Sequence, residues 1–141
     1  MPITNNFYKK IINNLQTLKK NFYLYDDKKI SYTELFQKIK KINFYLKDLK
    51  KKKIGLYCDK SEFYYSAVIA IILSGNTWVQ IPKGNPEERN KYIIKESKVE
   101  LIFQDQNIDY IKNIRKINFQ QIQKNTIGKD FENNSPFKAN D

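Results

Sequence analysis

The sequence predicts an α/β fold: a parallel βαβαβ sheet with flanking helices. Three observations carry that expectation. Short apolar segments at Ile54–Cys58, Thr77–Ile81 and Glu100–Gln104 have strand length. Between them lie two segments bounded by helix-starting and helix-stopping residues, Ser61 to Gly75 and Pro86 to Ser97. Strand, helix, strand, helix, strand in that order is the pattern of a parallel sheet with right-handed crossovers.

The chain opens on a segment, 5–20, that is helical by period, with Phe7, Ile11, Leu15 and Leu18 on one stripe and Thr4 or Asn5 placed to cap it. Phe22–Tyr25 alternates like a short strand, Asp26-Asp27-Lys28 is a turn signal, and Lys29–Ser31 returns as its hairpin partner. Ser31-Tyr32-Thr33-Glu34 has the form of a capping box. Leu35, Ile39, Ile42, Leu46 and Leu49 then mark one face of a helix of about four turns, which Lys50–Lys53 closes with positive charge.

After the strand Ile54–Cys58, Ser61 caps a helix over Glu62–Ser74, and Gly75 stops it. Pro82 ends the strand Thr77–Ile81, and Pro86-Glu87-Glu88 opens the next helix. Beyond Gln104 the expectation is a short helix over Asp109–Ile117 and a short strand over Asn118–Ile122. The chain therefore divides into an α/β unit, 1–124, and a polar loop or disordered tail, 125–141. The helix at 62–74 is apolar on nearly every face, so it should be buried on nearly every face. That fits a tightly packed small domain, or a surface whose partner is the rest of a larger domain or a second chain.

Composition removes several function classes. The chain has no histidine, which excludes imidazole acid–base catalysis, Ser–His and Cys–His dyads and His-ligated metals. Its single cysteine, Cys58, forms no intrachain disulfide and reads as a small buried hydrophobe. The net charge of +11 invites a nucleic-acid or membrane-surface partner. Against that, only Arg89 and Arg115 among the 26 basic residues carry the planar fork that phosphate and base recognition favours. Lys, Asn, Ile, Tyr and Phe share AT-rich codons, which accounts for much of the lysine. Polar Thr4, Asn5 and Asn6 stand near the start in place of the charged and apolar regions of a secretory signal, and the longest apolar run, Ala67–Leu73, is far short of the roughly 20 residues of a membrane span. A cytoplasmic, reducing compartment is expected.

Single residues add no chemistry. Glu87 and Glu88 are adjacent on a helix, point apart and read as a solvated first turn. Asp26 and Asp27 are turn residues. Asp59 follows a strand, where open α/β sheets present functional groups, or else it helps start the next helix. Trp78 reads as core and Arg89 as half of a surface ion pair. Lys50–Lys53 is a solvated helix end or an anion- or lipid-facing patch.

Three segments resemble a known superfamily. Ile30-Ser31-Tyr32-Thr33-Glu34-Leu35 resembles the Leu-Thr-Tyr-x-Glu-Leu motif of the adenylate-forming, AMP-binding enzymes: acyl-CoA synthetases, luciferases and nonribosomal peptide adenylation domains. Leu73–Pro82 resembles their Leu-Lys-Ala-Gly-x-x-Tyr-Val-Pro-Leu-Asp motif. Pro86-Glu87-Glu88-Arg89 with Tyr92-Ile93-Ile94 and Glu96-Ser97 follows the Pro-x-x-Arg…Tyr-Ile-Leu-x-Asp-Ser run after it. The flavour is that of amino-acid adenylation domains and D-alanine carrier-protein ligases. Gln80 stands where that family often has proline, and Lys83 and Gly84 where aspartate and proline are common.

The resemblance covers about residues 22–104 and implies the N-terminal part of the large domain of such an enzyme. The intact enzyme would use ATP and Mg, activate a carboxylate and pass it to a carrier protein or CoA. Its Gly-rich phosphate loop has no counterpart here, because the four glycines are not clustered. The expected catalytic, cofactor-binding and metal residues are therefore none, with no cofactor bound by this chain alone. The expected partner is the remainder of the same enzyme or a separately encoded portion, with self-association possible. A non-catalytic docking module and a basic nucleic-acid or membrane-surface binder are the alternatives.

Overall fold

A computed structural model describes residues 9, 10, 13, 21–23 and 29–124. Of the helix expected over 5–20, Lys9, Lys10 and Asn13 fall within the described residues and are helical. The tail from 125 lies outside them. The hairpin pairs β1 (Asn21–Tyr23) antiparallel with β2 (Lys29–Ser31), Phe22 opposite Ile30.

Ser31 ends β2 and caps α1 (Tyr32–Phe44), its hydroxyl accepting from the Glu34 N–H at 3.1 Å. The apolar stripe expected to run to Leu49 leaves the regular helix at Phe44. Tight backbone bonds, Leu46 N–H to Asn43 O and Leu49 N–H to Leu46 O, carry it on as turns. Lys51 then takes a left-handed conformation, φ 56°, and the chain enters β3 (Lys53–Tyr57). The four lysines thus belong to a turn and a strand start, not to a helix end.

Ser61 caps α2 (Glu62–Leu73) by accepting from the Tyr64 N–H. Gly75 ends it at φ 80°, with its N–H donated to Ile72 O and the Asn76 N–H to Ile71 O. Asn76 then ties three segments together. It accepts from the Lys52 N–H and donates to Leu49 O and Ser74 Oγ, which fixes β4 (Thr77–Gln80) beside β3. Helix α3 (Glu87–Ser97) starts at Pro86 and ends in left-handed Lys98, and β5 (Val99–Gln104) follows.

Two elements differ from expectation. Arg115–Asn118 is a strand, β6, and Phe119–Lys124 is a helix, α4. The helix expected over Asp109–Ile117 is absent, and so is the strand over Asn118–Ile122. Ile108, Ile111 and Ile114 repeat at helix-like spacing, but they pack as an irregular segment against one sheet face. The Asn118 N–H donates to Gln121 Oε1 at 3.0 Å, so Asn118 opens a helix where a strand was expected.

The sheet order is β4-β3-β5-β6, all parallel. One face packs α1, α2 and α4 on Ile54, Leu56, Leu101, Phe103 and Ile117. The other gathers Ile81, Ile94, Val99, Ile102, Ile108 and Ile111 beneath α3. Gly55 permits that second layer: a Cβ there would lie 2.7 Å from Ile81 Cδ1 and 3.2 Å from Ile102 Cγ1. Stacked rings, Phe63 on Phe119 and Phe119 on Phe103, fasten α4 to α2 and β5.

Candidate functional site

Open parallel sheets present their chemistry at the carboxyl ends of the strands. Here Tyr57 ends β3 and Cys58 and Asp59 follow it, Lys83 follows β4, and Gln104 ends β5 with Asp105 next. The strand order brings three of them together, because β3 lies between β4 and β5. Lys83 Nζ sits 2.6 Å from Asp105 Oδ1 and 3.3 Å from Asp59 Oδ2. The Asp59 N–H donates to Asp105 Oδ2 at 2.9 Å, and the lysine lies over the Tyr57 ring at 5.8 Å.

Asp59 therefore does not start α2, which Ser61 does; it faces Lys83. Lys83, a position where the family resemblance breaks, is the hub of the cluster. Asp105 carried no sequence signal of its own: only the adjacency of β3 and β5 brings it into reach. Below the cluster, the buried Gln104 amide donates to Asn118 Oδ1 at 2.6 Å and its oxygen accepts from the Ile108 N–H.

The electrostatics suit fastening. Burial pulls the Lys83 pKa down, but hydrogen bonds to Asp105 and Asp59 outweigh it and leave the pKa raised, so the ammonium stays charged. Burial, with Asp105 adding to it, pushes the Cys58 thiol up to about 12. That suppresses the thiolate a nucleophile would need. Burial also raises Tyr57, with Tyr110 next in effect, so the phenol keeps its proton. A charged lysine held between two carboxylates is neither base nor nucleophile; it is an ionic clasp across three strands.

The other residues singled out fall elsewhere. Glu87 and Glu88 are exposed and both pair with Lys91, as a solvated first turn does. Cys58 is buried, as expected. Trp78, expected in the core, is 38% exposed on the edge strand β4, its ring set edge-to-face with Tyr64 at 6.3 Å. Among the described residues no helix is long and apolar enough to cross a membrane.

The model of the AMP-binding enzyme family matches residues 13–140. The chain belongs to that family. It is 28% identical over 83 residues to a nonribosomal peptide synthetase of Aspergillus rugulosus, covering 57% of this chain and 1% of that protein. It is also 28% identical over 82 residues to an indigoidine synthase of Dickeya dadantii, covering 56% and 6%. Among solved structures, it resembles a four-domain nonribosomal peptide synthetase bound to AMP and glycine, at TM-score 0.71 and 21% identity over 82% of this chain and 9% of that one. The N-terminal subdomain of Klebsiella oxytoca NpsA gives TM-score 0.71 at 14% identity, over 91% and 34%. These likenesses establish the fold of the N-terminal subdomain. The chain spans between 1% and 34% of the length of these relatives.

The described carboxylates at the strand ends do not fit the magnesium that the intact family enzymes imply. Asp105 commits one oxygen to Lys83 and the other to the Asp59 N–H, and Asp59 is held by the same lysine. Among the described residues no group of three or more His, Cys, Asp or Glu side chains could hold a metal ion. No step through the metal is derived.

Proposed function

We propose that this chain is the N-terminal portion of an ATP-dependent, acyl- or aminoacyl-adenylate-forming ligase, and that by itself it is scaffold. The observation that carries this is the ionic clasp. At the carboxyl ends of the strands, where a ligand would be expected, the charged side chains are spent on one another. ATP and Mg, the acceptor thiol of a carrier protein or CoA, and the catalytic groups would belong to the intact enzyme. The rest of that enzyme is then the principal partner, and a reducing, cytoplasmic setting suits the free Cys58.

Two measurements test the proposal. ATP–pyrophosphate exchange by the purified chain, with a panel of amino and aryl acids, should stay at background; measurable exchange refutes the scaffold role. The coding sequence beyond Asp141 should carry a Gly-rich Thr-Ser-Gly-type loop in frame within about thirty codons. A stop codon without that loop refutes the ligase-portion reading and leaves a non-catalytic docking module.

A further inference from the structure

Lys50–Lys53 takes no part in the clasp, and the fold removes its simplest explanation. At a helix end, four lysines would meet the negative end of the helix dipole. The regular helix stops at Phe44, and the lysines occupy a turn and the first residue of β3. Coding bias does not replace that explanation. It enriches asparagine as well as lysine, yet Lys51 and Lys98 both hold left-handed conformations, at φ 56°, which asparagine adopts more readily. Lys53 pairs with Val99, so both lysines lead into neighbouring strands, about 5 Å apart, at the amino end of the sheet. Lys50, Lys51, Lys53 and Lys98 are all exposed. Lys52 pairs with Glu100, and none of those four has a carboxylate partner among the described residues. At the carboxyl end Asp59 and Asp105 take up Lys83. Charge is therefore sorted along the strands, which a uniform coding bias does not do.

Apolar side chains flank this basic end. The Lys51 N–H donates to Gly75 O and Lys50 Nζ to Ser74 O, which sets the turn against the end of α2. Lys53 pairs with Thr77 at the start of β4. Ile72, 36% exposed, lies in the last turn of α2, and Trp78, 38% exposed, is the residue after Thr77. Tyr92, the remaining large hydrophobic exposed among the described residues, lies on α3.

We infer that the amino end of the sheet binds the surface of an anionic lipid bilayer. Lys50, Lys51, Lys53 and Lys98 would lie against the headgroups, and Trp78 and Ile72 would enter the layer beneath them. Two features select lipid over nucleic acid. Attraction to a charged leaflet is a sum of point charges, which lysine supplies and which needs no planar fork. The exposed aromatic beside the lysines is an indole, the ring that seats at a membrane–water interface. The inference stands apart from the ligase reading, because the clasp and the carboxyl end of the sheet take no part in it.

Trp78 is the chain's single tryptophan, so its emission reports this site alone. Phosphatidylcholine vesicles with about 30% phosphatidylserine should bind the full chain at about 50 mM salt, shift Trp78 emission to the blue, and release the chain at about 500 mM. Phosphatidylcholine alone should leave the chain unbound. Each lysine at an anionic leaflet is worth about fivefold in partition. Lys51→Asn with Lys98→Asn suits both left-handed positions, so the fold is kept and partition should fall about 25-fold. Lys60→Gln with Lys91→Gln removes as much charge away from the patch and should cost less than about threefold. No binding to the anionic vesicles at about 50 mM salt overturns the inference. So does binding that the two double variants weaken equally, which would be the work of net charge. Tight binding to polyuridine with no blue shift on vesicles overturns it too and hands the basic end to nucleic acid.

Discussion

Replacing Lys83 with methionine separates a structural clasp from a lysine held ready for an external anion. The partner oxygen, Asp105 Oδ1, is buried and sits 2.6 Å from Nζ. The lysine side chain is 23% exposed and that of Asp105 27%. That lies between the exposed pairs worth about 0–1 kcal/mol and the buried pairs whose breakage costs about 3–5 kcal/mol. Methionine keeps the aliphatic stem and leaves the carboxylate oxygen without its cation, so the expected loss is about 2 kcal/mol. At a urea m-value of about 1–2 kcal/mol/M, the midpoint falls by about 1–2 M. Asp59, 79% exposed, contributes little to the pair, and Asp59→Asn should cost less than about 0.5 kcal/mol. A double-mutant cycle with Asp105→Asn should return a coupling of about 1–2 kcal/mol. Equal stability of Lys83→Met and the parent, or a coupling near zero, would refute the clasp and return Lys83 to the pool of ligand-binding candidates.

Two other outcomes follow from buried groups. Asn43 on α1 is fully buried, and among the described residues neither its amide nitrogen nor its oxygen has a hydrogen-bond partner, so Asn43→Leu should stabilise the fold by about 1–3 kcal/mol, read as a rise in the thermal midpoint. Cys58 titrates at about 12 in the fold against 9.0 for the free thiol, so the unfolded chain loses its proton first. Stability from this group is then complete below pH 9.0 and drains away as pH climbs toward 12. Lys83 has the same sign, but its loss begins only above 10.5. Tyr57 and Tyr64, both raised from 10.0, share that sign, so urea midpoints between pH 9.0 and 10.0 isolate the thiol; Cys58→Val should flatten the decline there, and an unchanged slope would assign it elsewhere.

The fold was legible between Ile30 and Gln104 because there each local signal agrees with the packing. Ser31 and Ser61 cap the helices they precede, Gly75 takes the positive φ its place demands, and the inner strands β3 and β5 carry the apolar runs that burial on both sheet faces requires. Past Gln104 the signals conflict. Ile108, Ile111 and Ile114 repeat every three residues, and this helix-like period arises from an irregular segment that must bury three isoleucines on one sheet face. β6 has a single buried residue, Ile117, too little for alternation to register. Asn118-Phe119-Gln120-Gln121 has the spacing of a capping box, and Gln121 does reach back to the Asn118 N–H.

The site was less legible for a topological reason. A sequence orders strands along the chain, but Lys83 meets Asp59 and Asp105 only because β3 is the middle strand of three whose ends must align. Asp59 could be suspected from its place after a strand; Asp105 had no signal until its neighbour was known. Trp78 failed for the same cause, since core and edge strands share one composition and only sheet order separates them. The all-apolar helix held the stronger clue. Its pattern asked for cover on nearly every face, and the fold covers the sheet side and the α1 side while leaving Tyr65, Val68, Ile69 and Ile72 partly open. In a chain this rich in lysine, the uncharged run from Phe63 to Pro82 is a local cue that overall composition would have hidden.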